Sequence, residues 1–264
     1  MTPDARAAFA AALRADPGHT LVACDFDGTL APIVADPAQA RPAPGAAQAL
    51  TRLAAAGVAV RIITGRPAAK VVELGGLDTV PGLVVLGLYG AQRWFGGTLT
   101  TAEPAPGLAG AQTLLELVLA GAAPGVVLEG KGLSVAVHTR QAADPSGELE
   151  RLRPAVEAIA ASTGMHVEPG RYVLELRSAG SDKGAALLAS VTEIGARCVL
   201  FAGDDLGDLA AFSALRSLTQ QGIVGLAVAS ASDEAPEVAA AADLTVAGPM
   251  AVVQLLDELA QLVE

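Results

Sequence analysis

Short apolar segments that alternate with helical patterns constrain the fold of this 264-residue chain more than any other feature. Continuous apolar, β-branched runs of four to eight residues are typical of parallel strands buried on both faces. Here such runs alternate with helical patterns up to residue 88, and the alternation returns after residue 181. The runs are Thr20–Phe26, Val58–Thr64, Leu83–Leu88, Arg197–Ala202, Gly225–Ala229 and Asp243–Val246. This rhythm predicts an α/β protein with a Rossmann-like core, built on a doubly wound parallel sheet.

The middle of the chain follows a different order of elements. After a proline-rich stretch at residues 103–107, two helical patterns each precede a pair of strand-like segments that reads as a hairpin. The resulting order, α-β-β-α-β-β, predicts a small antiparallel sheet covered by two helices. We therefore expect an α/β module at residues 106–178, inserted into a core made of residues 1–105 and 179–264.

The net charge limits which classes of binding partner fit the chain, and the two cysteines can be interpreted from their surroundings. The formal net charge is −11, with 17 Lys and Arg against 28 Asp and Glu. This balance argues against nucleic acid or an anionic membrane surface as a partner, because both need clustered cations. Cys24 and Cys198 lie in apolar runs and are interpreted as small buried hydrophobes. The N-terminal residues lack a signal-peptide pattern, and no charge-free apolar run reaches membrane-spanning length, so we expect a soluble, cytoplasmic protein. We also expect it to be a monomer.

Acidic and hydroxyl side chains follow three of the predicted parallel strands. Asp25 and Asp27 lie at the end of the first strand run, Thr64 ends the second, and an acidic cluster at 204–208 follows a later one. If Leu21–Phe26 is a strand, period-2 alternation places Asp25 and Asp27 on one face. Taken singly, each group also fits a turn residue or a helix cap. Together they predict a ligand site, because open α/β sheets bind ligands at the carboxyl ends of their strands.

Converging carboxylates without a matching excess of Lys or Arg need a cation. Ligands that are all oxygen, with no His or Cys among them, suit Mg²⁺, which in turn suits a phosphate group. Beside such a cation, one aspartate can stay ionised as a nucleophile, while its neighbour holds a proton and acts as an acid. The substrate class predicted from these residues is a small phosphorylated molecule.

Four motifs in this order resemble those of the haloacid-dehalogenase-type phosphatases: DFDGT at 25–29, IITGR at 62–66, SDKG at 181–184 and GDDLGD at 203–208. The resemblance implies that Asp25 is the nucleophile and Asp27 the general acid and base. Thr64 and Lys183 would hold the phosphoryl oxygens, with Lys183 also restraining the charge of Asp25. The implied Mg²⁺ ligands are Asp25, Asp27 through its backbone carbonyl, Asp204 and, as an outer-shell or additional acid, Asp208. An aspartate two residues after the nucleophile distinguishes phosphatases from dehalogenases and transport ATPases of this superfamily.

Longer segments are similar to the trehalose-6-phosphate phosphatases over most of the chain: DFDGTLAPIVADPAQA, LEGKGLSVAVHTR, LELRSAGSDKGAAL and GDDLGDLAAF. That resemblance implies that the inserted module is a mobile cap that closes over the sugar. The implied substrate-binding residues are Gly65, Arg66, Glu129, Lys131, His138, Arg140 and Glu175. Two plainer interpretations remain open: the cap charges form ion pairs on a solvated sheet face, and Arg66 or His138 has a structural role.

The chain departs from the pattern of this family at several positions. Gly207 and Leu209 replace a threonine and a glutamate, and Gly87–Gly90 reads GLYG where the family often has a histidine. We therefore keep two alternatives to a trehalose-6-phosphate phosphatase. One is a phosphatase of the same type that acts on sucrose phosphate or a glycosyl-phosphoglycerate. The other is a catalytically silent sugar-phosphate sensor, which would not need an acid and base at Asp27.

Overall fold

The computed structural model describes residues 4–170, 172–178, 180, 182–231 and 236–264. The described residues divide into two compact units, one within residues 1–101 and 182–264 and the other within residues 102–181. The sequence places the boundaries a few residues away, at 105/106 and 178/179. Ser181, the first residue of the SDKG motif, lies outside the described residues.

The secondary structure follows the alternation in the sequence. Up to residue 101 the elements are α1 Ala5–Ala15, β1 Thr20–Cys24, α2 Ala46–Ala55, β2 Ala59–Ile63, α3 Ala68–Gly75, β3 Val84–Gly87, β4 Gln92–Phe95 and β5 Thr98–Thr101. From 102 to 181 they are α4 Leu108–Leu119, β6 Val127–Gly130, β7 Val135–His138, α5 Pro145–Thr163, β8 Met165–Gly170 and β9 Val173–Ser178. From 182 onwards they are α6 Lys183–Ile194, β10 Cys198–Gly203, α7 Leu209–Gln220, β11 Val224–Ser230, α8 Pro236–Ala241, β12 Leu244–Val246 and α9 Gly248–Gln261.

In the first unit, eight strands among the described residues form one sheet in the order β12-β11-β10-β1-β2-β3-β4-β5. The strands from β12 to β3 are parallel, which confirms the predicted α/β class with a parallel sheet. Chain order reverses between β1 and β10, and such a reversal is where ligands bind in open α/β sheets.

Alternation along β1 explains why both faces of this sheet are covered. Val22 and Cys24 pack into a core with helices α1, α2, α3 and α9. Leu21 and Ala23 pack on the opposite face with α6, α7 and α8. Both cysteines are buried and free, as their apolar surroundings predict.

An antiparallel hairpin, β4–β5, extends the sheet beyond its parallel part and was not predicted from the sequence. Its two-residue turn is Gly96-Gly97, with φ of 54° and 83°. A glycine pair in this conformation is a strong hairpin signal. The glycine pair can be recognised in the sequence, but the strands that it joins are short and partly polar. Apolar and polar residues therefore hardly alternate along them, and the strands themselves are hard to predict.

The second unit has the predicted order α-β-β-α-β-β. Its strands form an antiparallel sheet in the order β6-β7-β9-β8. One face packs against α4 and α5 through a core that includes Leu115, Val135, Val156 and Leu174. Helices cover this face, and the charged side chains of the strands lie on the other.

The described residues contain no helix that combines the length and the apolar character needed to cross a bilayer.

Candidate active site

The first cluster forms where β1 ends. The sequence predicts a strand that continues to Phe26, but β1 ends at Cys24, so strand alternation does not extend to Asp25 and Asp27. The chain turns here instead, since Gly28 adopts φ of +71° and Asp27 forms an isolated bridge with Ala31. The two carboxylates consequently have different partners, and the expectation that a strand face holds both of them is wrong.

Asp25 is buried against the ammonium group of Lys183. The two charges are 3.1 Å apart, and each side chain is at most 5% exposed. Burial raises the pKa of Asp25 to about 7 from its usual value near 3.8, although the attraction of Lys183 opposes this shift. Burial alone would lower the pKa of Lys183, but the surrounding carboxylates hold it well above its usual value. Lys183 therefore remains charged at neutral pH and favours the ionised form of Asp25.

Asp204 lies beside this pair at the end of β10. It accepts a hydrogen bond from the Thr29 hydroxyl at 3.0 Å. Burial, together with repulsion from Asp208, raises the pKa of Asp204 to about 7. The DFDGT turn passes so close that a Cβ on Gly28 would lie 1.9 Å from a carboxylate oxygen of Asp204. Glycine is thus required at 28 both by its backbone conformation and by this contact.

Asp208 is fully buried, and both of its oxygens are already used. One oxygen accepts the backbone N–H groups of Asp204 and Asp205, at 2.9 and 3.0 Å. The other accepts from Lys183 at 2.8 Å. Asp208 therefore orients Lys183 and the turn that presents Asp204.

The carboxylates of Asp25, Asp204 and Asp208 offer oxygen atoms that lie within 4.8 Å of one another. Asp205 is also close, at 3.4 Å from the Lys183 ammonium. These four carboxylates share that one ammonium as a counter-charge among the described residues of the cluster. Ligands that are all oxygen, in excess of the available positive charge, fit a hard divalent cation.

Asp27 is held by Arg66, which lies 39 residues further along the chain. Two nitrogens of the guanidinium donate to the two carboxylate oxygens, at 2.5 and 2.6 Å. The third donates to the carbonyl of Pro37, and the guanidinium lies over the ring of Phe26. Such a two-bond arrangement fixes both the position and the plane of a carboxylate.

The loop after β2 supplies Thr64, which is almost completely buried. Its hydroxyl accepts the backbone N–H of Arg66 at 3.2 Å. Gly65 between them is covered by the phenol of Tyr89. Tyr89 and Thr29 are not among the site residues predicted from the sequence. Both lie beside predicted motifs, but a motif does not show which of its neighbours touch one another.

In the second unit, Glu129, His138 and Glu175 lie on the sheet face opposite the helices, because they alternate along their strands with core residues. Lys131 follows β6 directly, and Arg140 lies just after the end of β7. Glu129 and His138 are joined by a hydrogen bond at 2.8 Å, and Lys131 forms an ion pair with Glu175 at the same distance. In the strand register Glu129 and Glu175 both lie opposite the small side chain of Ala136.

The Ser134 hydroxyl, another contact that the sequence did not suggest, donates to Glu175 at 2.5 Å. Burial alone would raise the pKa of Glu175, but its hydrogen bonds from Lys131 and Ser134 hold it below the usual value. Arg140 lines a cavity of about 380 Å³ together with Glu129 and His138. All five predicted sugar-binding residues of this unit thus lie near one another. Lys131 contacts Glu175 and His138 contacts Glu129, as the plainer interpretation also expects.

Comparison with known proteins identifies the family. The family model described as trehalose-phosphatase matches residues 23–249. The chain belongs to the trehalose-phosphatase family. Curated relatives include the trehalose-phosphate phosphatase of Mycobacterium avium (strain 104), 39% identical over 223 residues, and that of Mycobacterium leprae (strain TN), 34% identical over 252 residues. These matches cover 78% and 90% of this chain, and 54% and 56% of the relatives. This trehalose-phosphatase chain thus spans about half the length of the curated relatives it matches.

Solved structures show the same fold. The trehalose-6-phosphate phosphatase of Aspergillus fumigatus (crystal form 3) superposes with a TM-score of 0.76 at 23% identity, covering 97% of both chains. A haloacid dehalogenase-like hydrolase from Bacteroides thetaiotaomicron superposes with a TM-score of 0.63 at 16% identity, covering 91% of this chain and 99% of the other. The trehalose-phosphatase chain therefore shares the fold of these two proteins, which confirms the fold expected from the resemblance.

Proposed function

We propose that this protein is a phosphatase that hydrolyses trehalose 6-phosphate to trehalose and inorganic phosphate. The observation that carries the proposal is the buried Asp25–Lys183 pair beside the oxygen cluster, with a second carboxylate, Asp27, held separately by Arg66. Binding a phosphate ester needs positive charge, but it does not need two aspartates in such different surroundings. Family membership supports trehalose 6-phosphate as the substrate, because the curated relatives carry the name of this activity.

The first step is attack by a carboxylate oxygen of Asp25 on phosphorus. The bond between phosphorus and the sugar oxygen breaks, its electron pair stays on the sugar oxygen, and Asp27 donates a proton to that oxygen. Water then attacks the phosphorus of the aspartyl-phosphate, Asp27 takes a proton from that water, and Asp25 is released as a carboxylate. One residue serves in turn as acid and base, so Asp27 must stay in one place through both steps.

The surrounding residues position these two groups. Arg66 holds the plane of Asp27, Lys183 favours the ionised form of Asp25, and Thr64 offers a hydroxyl at the adjacent strand end. Phosphoryl transfer depends mostly on positioning the reacting groups and on neutralising the equatorial oxygens of the phosphoryl group. The roles proposed for these three residues meet both requirements.

We propose that the cation of the oxygen cluster is Mg²⁺, held by Asp25, Asp204 and the backbone carbonyl of Asp27. Bound there, Mg²⁺ would offset the repulsion among the carboxylates and the charge of the phosphoryl group. Asp208, whose oxygens are already engaged, would act on the ligand set through Lys183 and the backbone at 204–205.

Recognition of the sugar is proposed for the outer sheet face of the second unit. Glu129, Lys131, His138, Arg140 and Glu175 present both donors and acceptors there, which matches the hydroxyl groups of a disaccharide. Gly65 and Arg66 are proposed to contact the substrate from the first unit.

The test is phosphate release from trehalose 6-phosphate, sucrose phosphate, a glycosyl-phosphoglycerate and an aryl phosphate, with and without Mg²⁺. We expect Mg²⁺-dependent turnover with the highest kcat/KM for trehalose 6-phosphate. Asp25→Asn should lose about 10⁴-fold or more in kcat, because the nucleophile is gone, whereas Asp78→Asn, a change at an exposed site of the same unit, should not alter kcat. A higher kcat/KM for another sugar phosphate would mean that this compound, and not trehalose 6-phosphate, is the substrate. Binding without turnover would indicate a sensor, and an active Asp25→Asn variant would overturn the mechanism.

A further inference from the structure

Three consecutive residues after β3 have backbone conformations that side chains disfavour. The φ angles are +48° at Leu88, +58° at Tyr89 and +95° at Gly90. Glycine adopts such values freely, but leucine and tyrosine do so at a cost in free energy. Residues held in this way persist only where surrounding contacts enforce them, and they concentrate at functional sites. The turn at 88–90 lies at the carboxyl end of β3, the sheet edge that also carries Thr64.

Backbone hydrogen bonds attach this turn to the loop of the IITGR motif. The N–H of Tyr89 donates to the carbonyl of Thr64 at 3.0 Å, and the N–H of Leu88 donates to the carbonyl of Arg66 at 3.0 Å. The two residues on either side of Gly65 are thus bound by neighbouring residues of the strained turn. These bonds account for how the unfavourable conformation is maintained.

The side chain of Tyr89 completes the contact. A Cβ built on Gly65 would lie 2.9 Å from the phenol oxygen and 3.0 Å from the ring carbon that bears it. The φ of Gly65 is not in the left-handed region, so its backbone conformation does not require glycine. The phenol is what limits the space for a larger residue at 65, which would have to displace it.

The same turn also touches the helix that begins at Lys183. A Cβ on Gly90 would lie 3.2 Å from the Cβ of Ala186 in α6. The turn at 88–90 therefore contacts both of the elements that supply Thr64 and Lys183. A small shift of this turn would move these two side chains relative to each other.

We propose that Tyr89 is a positioning residue for phosphoryl binding. Its phenol and its strained backbone hold the loop of Thr64, Gly65 and Arg66 in place against α6. The role of the loop in holding phosphate rests on the proposed function, while the contacts of Tyr89 do not. Because Tyr89 is proposed to act on the binding of the phosphoryl group, its loss should have the same effect whatever molecule carries the phosphate.

A double-mutant cycle between positions 65 and 89 tests this inference. The variants are Gly65→Ala, Tyr89→Asn and the pair, compared by kcat and KM for trehalose 6-phosphate and an aryl phosphate, affinity for inorganic phosphate, and Tm. Tyr89→Asn should lower kcat/KM about 10- to 100-fold on both substrates and weaken phosphate binding. Its Tm should be unchanged or higher, because asparagine tolerates a positive φ better than tyrosine does. Gly65→Ala should be about 10-fold less harmful in the Tyr89→Asn background than in the wild type.

Leu88→Asn is the matched control, since it changes the neighbouring residue in the same conformation without removing the phenol, and we expect wild-type phosphate affinity. Wild-type kcat and phosphate affinity in Tyr89→Asn, or a strictly additive cycle, would overturn the inference. If Tyr89→Asn does not fold, Tyr89→Phe removes the contact at 2.9 Å, and the penalty of Gly65→Ala should still shrink. Phosphate affinity and the cycle in Tm need no sugar substrate. A protein that turns over none of the sugar phosphates, yet loses phosphate affinity on Tyr89→Asn, would refute the proposed function and support this inference.

Discussion

The two units of the protein hold their charged side chains in opposite ways. In the first unit Asp25 and Lys183 are at most 5% exposed, whereas in the second the Glu129 side chain is 53% exposed and His138 35%. Burial raises the pKa of Asp25 and Asp204 to about 7, since a buried charge loses its hydration. The Glu129–His138 contact of the second unit instead lies at a solvated face, where an ion pair contributes little to stability.

The difference in burial between the two sets of charged side chains suits two different functions. A buried cluster is fixed by its own interactions, so it can place a nucleophile and an acid with little reorganisation. Exposed pairs can exchange their partners for the hydroxyl groups of a ligand at low cost. We therefore expect substitutions in the first unit to impair every phosphate ester equally, and substitutions in the second to depend on the sugar.

The largest effect among the following three changes is expected for Arg66→Lys. Lysine cannot donate two parallel hydrogen bonds to Asp27, so the carboxylate should lose its fixed plane and kcat should fall about 100-fold. The loss should be the same for trehalose 6-phosphate and an aryl phosphate. Arg153→Lys, at a half-buried position of α5 where arginine makes the same two-bond pair with Glu150, is the control and should not change kcat. Retention of wild-type kcat in Arg66→Lys would show that this pair does not position the acid.

A smaller and selective effect is expected for Glu175→Gln. Replacing a charged acceptor that bonds to sugar hydroxyls should lower kcat/KM for trehalose 6-phosphate about 10- to 100-fold, while the aryl phosphate should change less than about threefold. The control is Glu157→Gln on α5, which packs against the other face of the sheet. If kcat/KM fell equally for both substrates, Glu175 would stabilise the second unit and would not recognise the sugar.

The smallest effect is expected in stability. Without a cation, Asp25 and Asp204 have pKa values of about 7 in the folded protein against an ordinary value of 3.8. The folded state then binds more protons than the unfolded state between these values, so these groups lower the free energy of unfolding as pH rises from about 4 to about 7. Mg²⁺ binds the ionised carboxylates, and its stabilising effect should therefore increase with pH.

We expect millimolar Mg²⁺ to raise Tm by a few degrees at about pH 8 and by less at about pH 5. Thermal unfolding followed at both pH values measures this, and Asp204→Asn should abolish the difference. An equal increase at both pH values would mean that Mg²⁺ does not bind at this cluster.

Much of the first unit could be predicted because its signals are local. The runs around Val22, Ile62 and Leu200 are apolar on both sides, so they read as parallel strands, and parallel strands align the residues at their carboxyl ends. Asp25, Thr64 and Asp204 could therefore be assigned to one edge. The β4–β5 hairpin and the end of β1 at Cys24 could not be assigned in this way, because they depend on neighbouring strands and on a turn at Gly28.

The sequence by itself determined the alternation of strands and helices, the position of the inserted module and the order of the acidic motifs, because periodicity and motif spacing are local properties. Only the tertiary structure decided that Arg66 holds Asp27, that Lys183 is shared by Asp25 and Asp208, and that Tyr89 lies over Gly65. These pairs join residues that are far apart along the chain. Their distances, and the burial that shifts the pKa of Asp25, come from how the strands and helices pack, which no single segment encodes.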